Sequence, residues 1–229
     1  KPWAMGGETT LHNLQPACPT CNMKKGAKEM SVQATFEEIL NLQLTLRRGQ
    51  KETFELYAIL KQSNFSCILP TGYGKSLVGL GAYLILRHRK IVDRCLILVP
   101  SRNLMNDWAD KAADDCAELG MKISGAMTLD DIPAALRYHQ RGTAEIFVAT
   151  YQSLRTNLSG IKRLLSTGKW MLIPDEFHHL AEDQSWAFSI EDFRDPFVEH
   201  TLFLSATPVR TDKKPTIGAW KYDDVSKTY

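Results

Sequence analysis

The sequence holds 229 residues, 44% of them apolar and 24% charged, with a formal net charge of +2. That balance describes a globular chain able to bury a real core and excludes a disordered one. The small net charge excludes a bulk basic surface, so any nucleic-acid contact has to come from a local patch. No apolar run approaches membrane-spanning length.

Lys1–Lys28 is rich in Pro, Gly, Cys and Thr and shows no sustained period, which reads as loops held by something other than a hydrophobic core. Of five cysteines, only Cys18 and Cys21 are close in sequence. The odd count and the lack of a signal-peptide pattern point to a reducing, intracellular setting, with cytoplasm and nucleus not distinguished. Ala34–Leu46 carries apolar residues at Phe36, Ile39, Leu40, Leu42, Leu44 and Leu46, a helix that breaks down into an extended approach. Gln50–Lys61 resumes helical spacing.

From residue 65 the pattern alternates strand and helix. The expected strands are Phe65–Leu69, Arg94–Val99, Lys122–Ser124, Glu145–Ala149, Trp170–Pro174 and Thr201–Leu204. The expected helices are Gly74–His88, Ser101–Leu119, Leu129–His139, Tyr151–Leu165 and Gln184–Val198, with Ser101 and Thr150 as caps directly after strands. Cys67 and Cys95 fall in strands, where a cysteine serves as a small buried hydrophobe. Short, continuously apolar strands suit a parallel sheet covered on both faces. The fold class is therefore α/β, a doubly wound parallel sheet whose ligands collect at the carboxyl ends of the strands.

Two stretches carry chemistry. In Leu69–Ser76, LPTGYGKS, an apolar strand runs through Pro70, Thr71, Gly72, Tyr73 and Gly74 into a helix. Glycines let backbone N–H groups curl toward phosphate oxygens, and the helix N-terminus adds partial positive charge. Lys75 can reach terminal phosphates and the Ser76 hydroxyl can sit on Mg²⁺. The strict pattern has Gly where this chain has Leu69, and a bland turn is also Gly-rich. In Met171–Leu180, MLIPDEFHHL, a strand is followed by two carboxylates. Beside a phosphate loop, Asp175 serves the metal and Glu176 the attacking water, while a lone Asp-Glu pair could simply open a helix. His178 is a candidate for coupling nucleotide state to the rest of the molecule. His179 is as readily a surface or packing residue.

In order, these motifs resemble those of the first RecA-like lobe of a superfamily 2 helicase, translocase or restriction-type ATPase, over Leu46–Arg210. LPTGYGKS is similar to motif I, DEFH to the DExH form of motif II, and LSATP at 204–208 to motif III. The resemblance implies that Ser205, Ala206 and Thr207 link ATP state to nucleic-acid contact. LRRGQKE at 46–52 resembles the segment upstream of motif I, which implies Gln50 near the adenine and Arg47 near the nucleotide; Arg48 and Gly49 replace the usual proline. LILVPSRNL and VATYQSL resemble strand-end motifs that meet the nucleic-acid backbone, a role implied for Ser101, Arg102, Thr150 and Gln152. Hydroxyls, amides and an arginine suit phosphate contacts without base specificity. Ser101 and Thr150 also read simply as helix caps. The LPTG and DEFH forms favour the restriction-enzyme and repair-helicase group over the DEAD-box RNA helicases.

Residues 6–26, GGETTLHNLQPACPTCNMKKG, resemble the C-terminal half of an HNH nuclease ββα-metal module. The resemblance implies Cys18 and Cys21 as one of two pairs on a structural Zn²⁺, Asn13 orienting a catalytic histidine, and Asn22 on the catalytic metal. Two thiolates cannot close a tetrahedral site, so Zn²⁺ is expected only with further ligands from upstream of Lys1. A lone CxxC could equally be a redox pair or a simple zinc-binding end.

The sequence thus divides into a partial HNH module at 1–30, a linker at 31–45 and an ATP-binding lobe at 46–229. The expected function is the ATP-Mg²⁺ lobe of an ATP-dependent DNA helicase or translocase, fused to an HNH endonuclease and acting on double-stranded DNA. The piece is expected to be incomplete, lacking a second RecA-like lobe that closes over ATP, and weakly active alone. A nucleotide-switched nucleic-acid-binding protein is the rival, against which Lys75, Asp175 and Glu176 argue. A small-molecule or signalling NTPase would have no use for Ser205–Thr207.

Overall fold

The computed structural model describes residues 36–42, 44–59, 64–130, 132–179 and 198–207. Its elements are α1 (Phe36–Ile39), α2 (Arg48–Ile59), β1 (Asn64–Ile68), α3 (Lys75–His88), β2 (Arg94–Val99), α4 (Arg102–Glu118) and β3 (Ala126–Thr128). They continue with α5 (Ile132–Gln140), β4 (Ile146–Thr150), α6 (Tyr151–Thr156), α7 (Leu158–Leu165), β5 (Trp170–Pro174), a 3₁₀ turn (Phe177–His179) and β6 (Val198–Ser205).

The six strands form one parallel sheet in the order β1-β6-β5-β2-β4-β3. Successive side chains of a strand point to opposite faces, so each apolar run feeds two cores. Cys95, Ile97 and Val99 of β2, with Met171 and Ile173 of β5, pack under α1 to α4. Their neighbours Leu96, Leu98, Leu172 and Phe147 pack under α5, α6 and α7. Burying each such side chain on either face contributes about 1.5–3 kcal/mol, so neither layer of helices is dispensable. Cys67 and Cys95 are buried and free, as expected of small hydrophobes.

Register aligns the strand ends. Ile68 pairs with Ser205, Leu98 with Pro174, Val99 with Thr150, and Asp175 bridges to Leu204. The segments after β1, β2, β4, β5 and β6 therefore emerge along one edge of the sheet.

Several expected bounds move. The third strand forms at Ala126–Thr128 rather than Lys122–Ser124, because Thr128 pairs with Val148 and the next N–H, of Leu129, bonds the Val148 carbonyl and buries the leucine. Lys122 and Ser124 stay exposed. The helix expected over Tyr151–Leu165 divides at Asn157, whose φ of −123° leaves the helical range while its carbonyl accepts from Ile161 to begin α7. Thr156 assists the break, its hydroxyl bonding back to the Gln152 and Ser153 carbonyls. Of the helix expected over Gln184–Val198, only Val198 is described, and it opens β6, pairing with Trp170. Among the described residues the approach to α2 is helical over Phe36–Ile39, with Phe36 packed on Phe54 at 5.7 Å between ring centroids.

Candidate functional site

The turn between β1 and α3 owes its shape to two residues in the left-handed region, Gly72 (φ 76°) and Gly74 (φ 86°). Gly74 is also the N-cap of α3 and offers no side-chain bond, so the first-turn N–H groups of a 14-residue helix keep their donors for a ligand. The loop is held from beneath by α2. Gln50, almost fully buried, donates from Nε2 to the Tyr73 carbonyl at 3.0 Å and the Gly74 carbonyl at 3.5 Å. Its Oε1 accepts the Arg47 N–H. Arg47 donates to the Gly72 carbonyl at 2.8 Å and lies over the Tyr73 ring. Both residues thus brace the loop, and the Gln50 amide spends its donors on loop carbonyls.

Above the loop lies a cleft of about 350 Å³ lined by Gly72, Gly74, Lys75, Ser76, Asp175 and Glu176, with one face of α4 as its far wall. Lys75 Nζ sits 3.1 Å from Glu176 Oε1, both side chains largely shielded from water. Such a pair leaves the lysine's other protons and the carboxylate's other oxygen for partners. Glu176 adopts φ 51°, a conformation a non-glycine residue rarely takes, immediately after β5.

Asp175 is almost fully buried. Its Oδ2 accepts the Trp108 indole N–H at 2.9 Å, its Oδ1 accepts the Glu176 N–H at 2.9 Å, and its backbone carbonyl accepts the Tyr151 hydroxyl at 2.7 Å. Burial pushes the Asp175 carboxyl above the usual range; the Trp108 bond draws it back, and the neighbouring Glu176 charge adds to the rise. A carboxylate kept from water in this way gains by meeting a cation.

The other oxygen of Glu176 faces the end of β6. Ser205 Oγ lies 2.8 Å from His178 Nδ1, 2.7 Å from the Thr207 carbonyl and 3.4 Å from Glu176 Oε2, and it accepts the Thr207 N–H. His178 Nδ1 is also 3.3 Å from Glu176 Oε2. The serine has one proton to give, to the Thr207 carbonyl, Glu176 or the imidazole, so the imidazole tautomer sets which way the His178–Ser205 bond runs. Ala206 is half-buried beside this chain, and Thr71 and Thr207 are exposed at the rim.

Farther along the edge the pattern changes. Ser101 Oγ accepts the Leu104 N–H at 3.4 Å, and Thr150 Oγ1 accepts the Ser153 N–H at 3.0 Å, so both hydroxyls cap helices. Arg102 and Gln152 are exposed next to them. The structure brings the residues of the three central motifs into one cluster and leaves these four along the margin. Cys18, Cys21 and Asn22 lie outside the described residues.

Sequence reasoning missed Trp108 and Tyr151, and with them the Asp107, Lys111 and Asp115 wall of the cleft. Trp108 shares the buried stripe of α4 with Met105, Ala112 and Cys116, a spacing that reads as core. The usable signal was chemical: a tryptophan brings an N–H that needs an acceptor when buried.

Residues 47–214 match the family model described as DEAD/DEAH box helicase, and residues 1–28 match the one described as HNH endonuclease. The chain is 32% identical over 173 residues to a putative DNA 3'-5' helicase Rad25 of Haloarcula marismortui, covering 75% of this chain and 24% of that protein. It is 26% identical over 190 residues to the DNA 3'-5' translocase XPB2 of Sulfurisphaera tokodaii, covering 82% and 37%. It spans between about a fifth and two-fifths of the curated relatives it matches. The fold resembles a nuclease-deletion mutant of the Type ISP restriction-modification enzyme LlaGI in complex with a DNA substrate mimic (TM-score 0.58, 18% identity, 80% of this chain and 19% of that one). It also resembles the Sulfolobus solfataricus SWI2/SNF2 ATPase core in complex with dsDNA (TM-score 0.56, 14% identity, 75% and 34%). Among the described residues no helix is long and apolar enough to cross a membrane. With one model matched across most of its length and the phosphate-loop and DEFH segments at one sheet edge, the chain belongs to the DEAD/DEAH box helicase family, preceded by an HNH module.

Proposed function

We propose that this chain binds ATP with magnesium in the cleft between α3 and β5, as the first of two lobes of an ATP-dependent DNA helicase or translocase. The observation that carries the reading is the meeting of Lys75, Ser76, Asp175 and Glu176 at the uncapped N-terminus of α3. The donor set fits the ion and the nucleotide. Ser76 and Asp175 supply the hard oxygens magnesium takes, Lys75 supplies a mobile cation, and a Cβ built on Gly72 would meet nothing within 4 Å, leaving room for a phosphate against the backbone. Bound magnesium supplies charge neutralisation on the terminal phosphates. Lys75 exchanges Glu176 for a phosphate oxygen, which releases the Glu176 carboxylate to orient or deprotonate the attacking water. Ser205 and His178 touch the same carboxylate and would carry its state to Thr207.

DNA as the track, the HNH module as a nuclease partner and the need for a second lobe form part of this proposal. The DNA relatives and the DNA-bound structures of similar fold support it. Ser101, Arg102, Thr150 and Gln152 would meet the sugar-phosphate backbone, and Cys18, Cys21 and Asn22 would serve metals in the HNH module. Calorimetry of ATP binding with and without magnesium tests the cleft. Binding is expected for the wild type, and Lys75→Ala is expected to weaken it by roughly 10–100-fold, as loss of a charged hydrogen bond implies. Equal affinity in a folded variant overturns the assignment.

A further inference from the structure

Asp175 is gripped from both faces of the sheet, by Trp108 of α4 at its carboxylate and by Tyr151 of α6 at its backbone. We propose that Trp108 is a positioning residue for the metal: its indole N–H fixes the rotation of the Asp175 carboxylate, so that the lone pairs it leaves free are offered to a divalent cation in the cleft. This rests on the reading of the cleft as a magnesium–nucleotide site.

A carboxylate has about four lone-pair positions. The Trp108 N–H takes one on Oδ2 and the Glu176 N–H takes one on Oδ1, so both oxygens are tethered and each keeps a free position. The tether itself cannot swing. Trp108 is 5% exposed, and the far edge of its ring, Cη2, stands 3.4 Å from where a Cβ on Gly79 would lie. Gly79 is on α3, one turn beyond Ser76. The indole is thus wedged between the helix that carries one metal-side oxygen and the carboxylate that supplies the other, and it sets their spacing. Its neighbours on the same stripe, Met105, Ala112 and Cys116, are buried with it and offer no comparable N–H. Phenylalanine would fill the same core position without reaching Asp175. Removing the N–H leaves Oδ2 buried with no donor, free to turn away from the cation.

The test compares the 229-residue wild type with Trp108→Phe and with a chain carrying 3-benzothienylalanine at position 108, an isostere of nearly the same ring shape with sulfur in place of the N–H. Free Mn²⁺ is followed by electron paramagnetic resonance in the presence of a non-hydrolysable ATP analogue, and metal-free nucleotide affinity is measured separately by calorimetry. Asp175→Asn provides the metal-deficient reference. Both Trp108 replacements are expected to weaken Mn²⁺ binding by roughly 10–100-fold, the usual cost of losing an outer-shell partner, with metal-free nucleotide affinity unchanged. The isostere keeps the core volume, so its result stands even where the phenylalanine variant misfolds. Wild-type metal affinity in the isostere overturns the role of Trp108 and leaves the site intact. A wild type that binds neither nucleotide nor nucleotide-dependent Mn²⁺ overturns the site, and this inference with it.

Discussion

Two stretches of the same sheet edge are built on opposite plans. Around the ends of β1, β5 and β6, side chains from distant parts of the chain satisfy one another: Gln50 on Tyr73 and Gly74, Lys75 on Glu176, Trp108 on Asp175, His178 on Ser205. At the ends of β2 and β4 the polar groups satisfy their own helices, Ser101 bonding three residues ahead and Thr150 likewise, with Arg102 and Gln152 left in solvent. The first plan ties each polar group to a partner far along the chain, at the cost of coupling these residues to the fold. The second leaves Arg102 and Gln152 in solvent beside fixed caps and suits contacts to a uniform phosphate backbone, where register matters less than charge. The comparison predicts that changes at the first stretch disturb chemistry and packing together, and that changes at the second disturb them separately.

The largest effect belongs to Glu176. In a protein that carries the second lobe, Glu176→Gln is expected to retain ATP binding and to lose roughly 10²–10⁴-fold in turnover, because a neutral amide cannot take the water's proton. Steady-state hydrolysis set beside equilibrium binding checks this. Unchanged turnover would place the base elsewhere and remove the reason for the strained φ of 51° at that residue.

The two loop glycines sharpen the contrast within the first stretch. Gly74→Ala would drive its Cβ into the Gln50 amide, which is buried and held by its own bonds, in a conformation already unfavourable for alanine. The left-handed strain alone is worth about 1–2 kcal/mol. Gly72→Ala carries the same strain with nothing near the added carbon. Thermal unfolding should therefore show the larger loss for Gly74→Ala. ATP binding should suffer from Gly72→Ala beyond what its milder destabilisation explains, since the open space beside Gly72 is the proposed phosphate position. Equal losses of stability in the two variants would show that Gln50 does not brace the loop.

Much of this was legible in the sequence, and the reason differs by level. Continuous apolar runs at β2, β4 and β5 announced buried parallel strands, and all five residues of β4 and β5 are indeed covered. Phosphate-loop and carboxylate segments were readable because their chemistry is local in sequence. The three-residue edge strand β3 was misplaced, since its position depends on pairing with Val148 and not on its own composition. Trp108 and Tyr151 were hidden for a related reason. Each looks like core from its own helix, and only the bond to Asp175, sixty-seven and twenty-four residues away, gives it a second task.

The smallest effects test the second stretch. Thr150 is 7% exposed and its Oγ1 receives the Ser153 N–H at 3.0 Å while lying 2.9 Å from Ser153 Oγ, so Thr150→Ala removes a short, shielded cap. Ser101 caps through a longer 3.4 Å contact on an exposed side chain, where water can take over the freed N–H. Cap loss is typically worth about 0.5–2 kcal/mol, which places Thr150→Ala near ~1 kcal/mol and Ser101→Ala at the low end. Arg102→Ala and Gln152→Ala remove exposed side chains with no bond among the described residues and are expected to leave the melting temperature unchanged. On the proposed DNA edge, Arg102→Ala should also weaken binding to duplex DNA and flatten its salt dependence by about one counterion, equally for every sequence. Melting curves for the four variants, set beside salt titrations of DNA binding, separate the two tasks. A large stability loss on removing Arg102, or DNA binding indifferent to it, would erase the distinction between the two stretches.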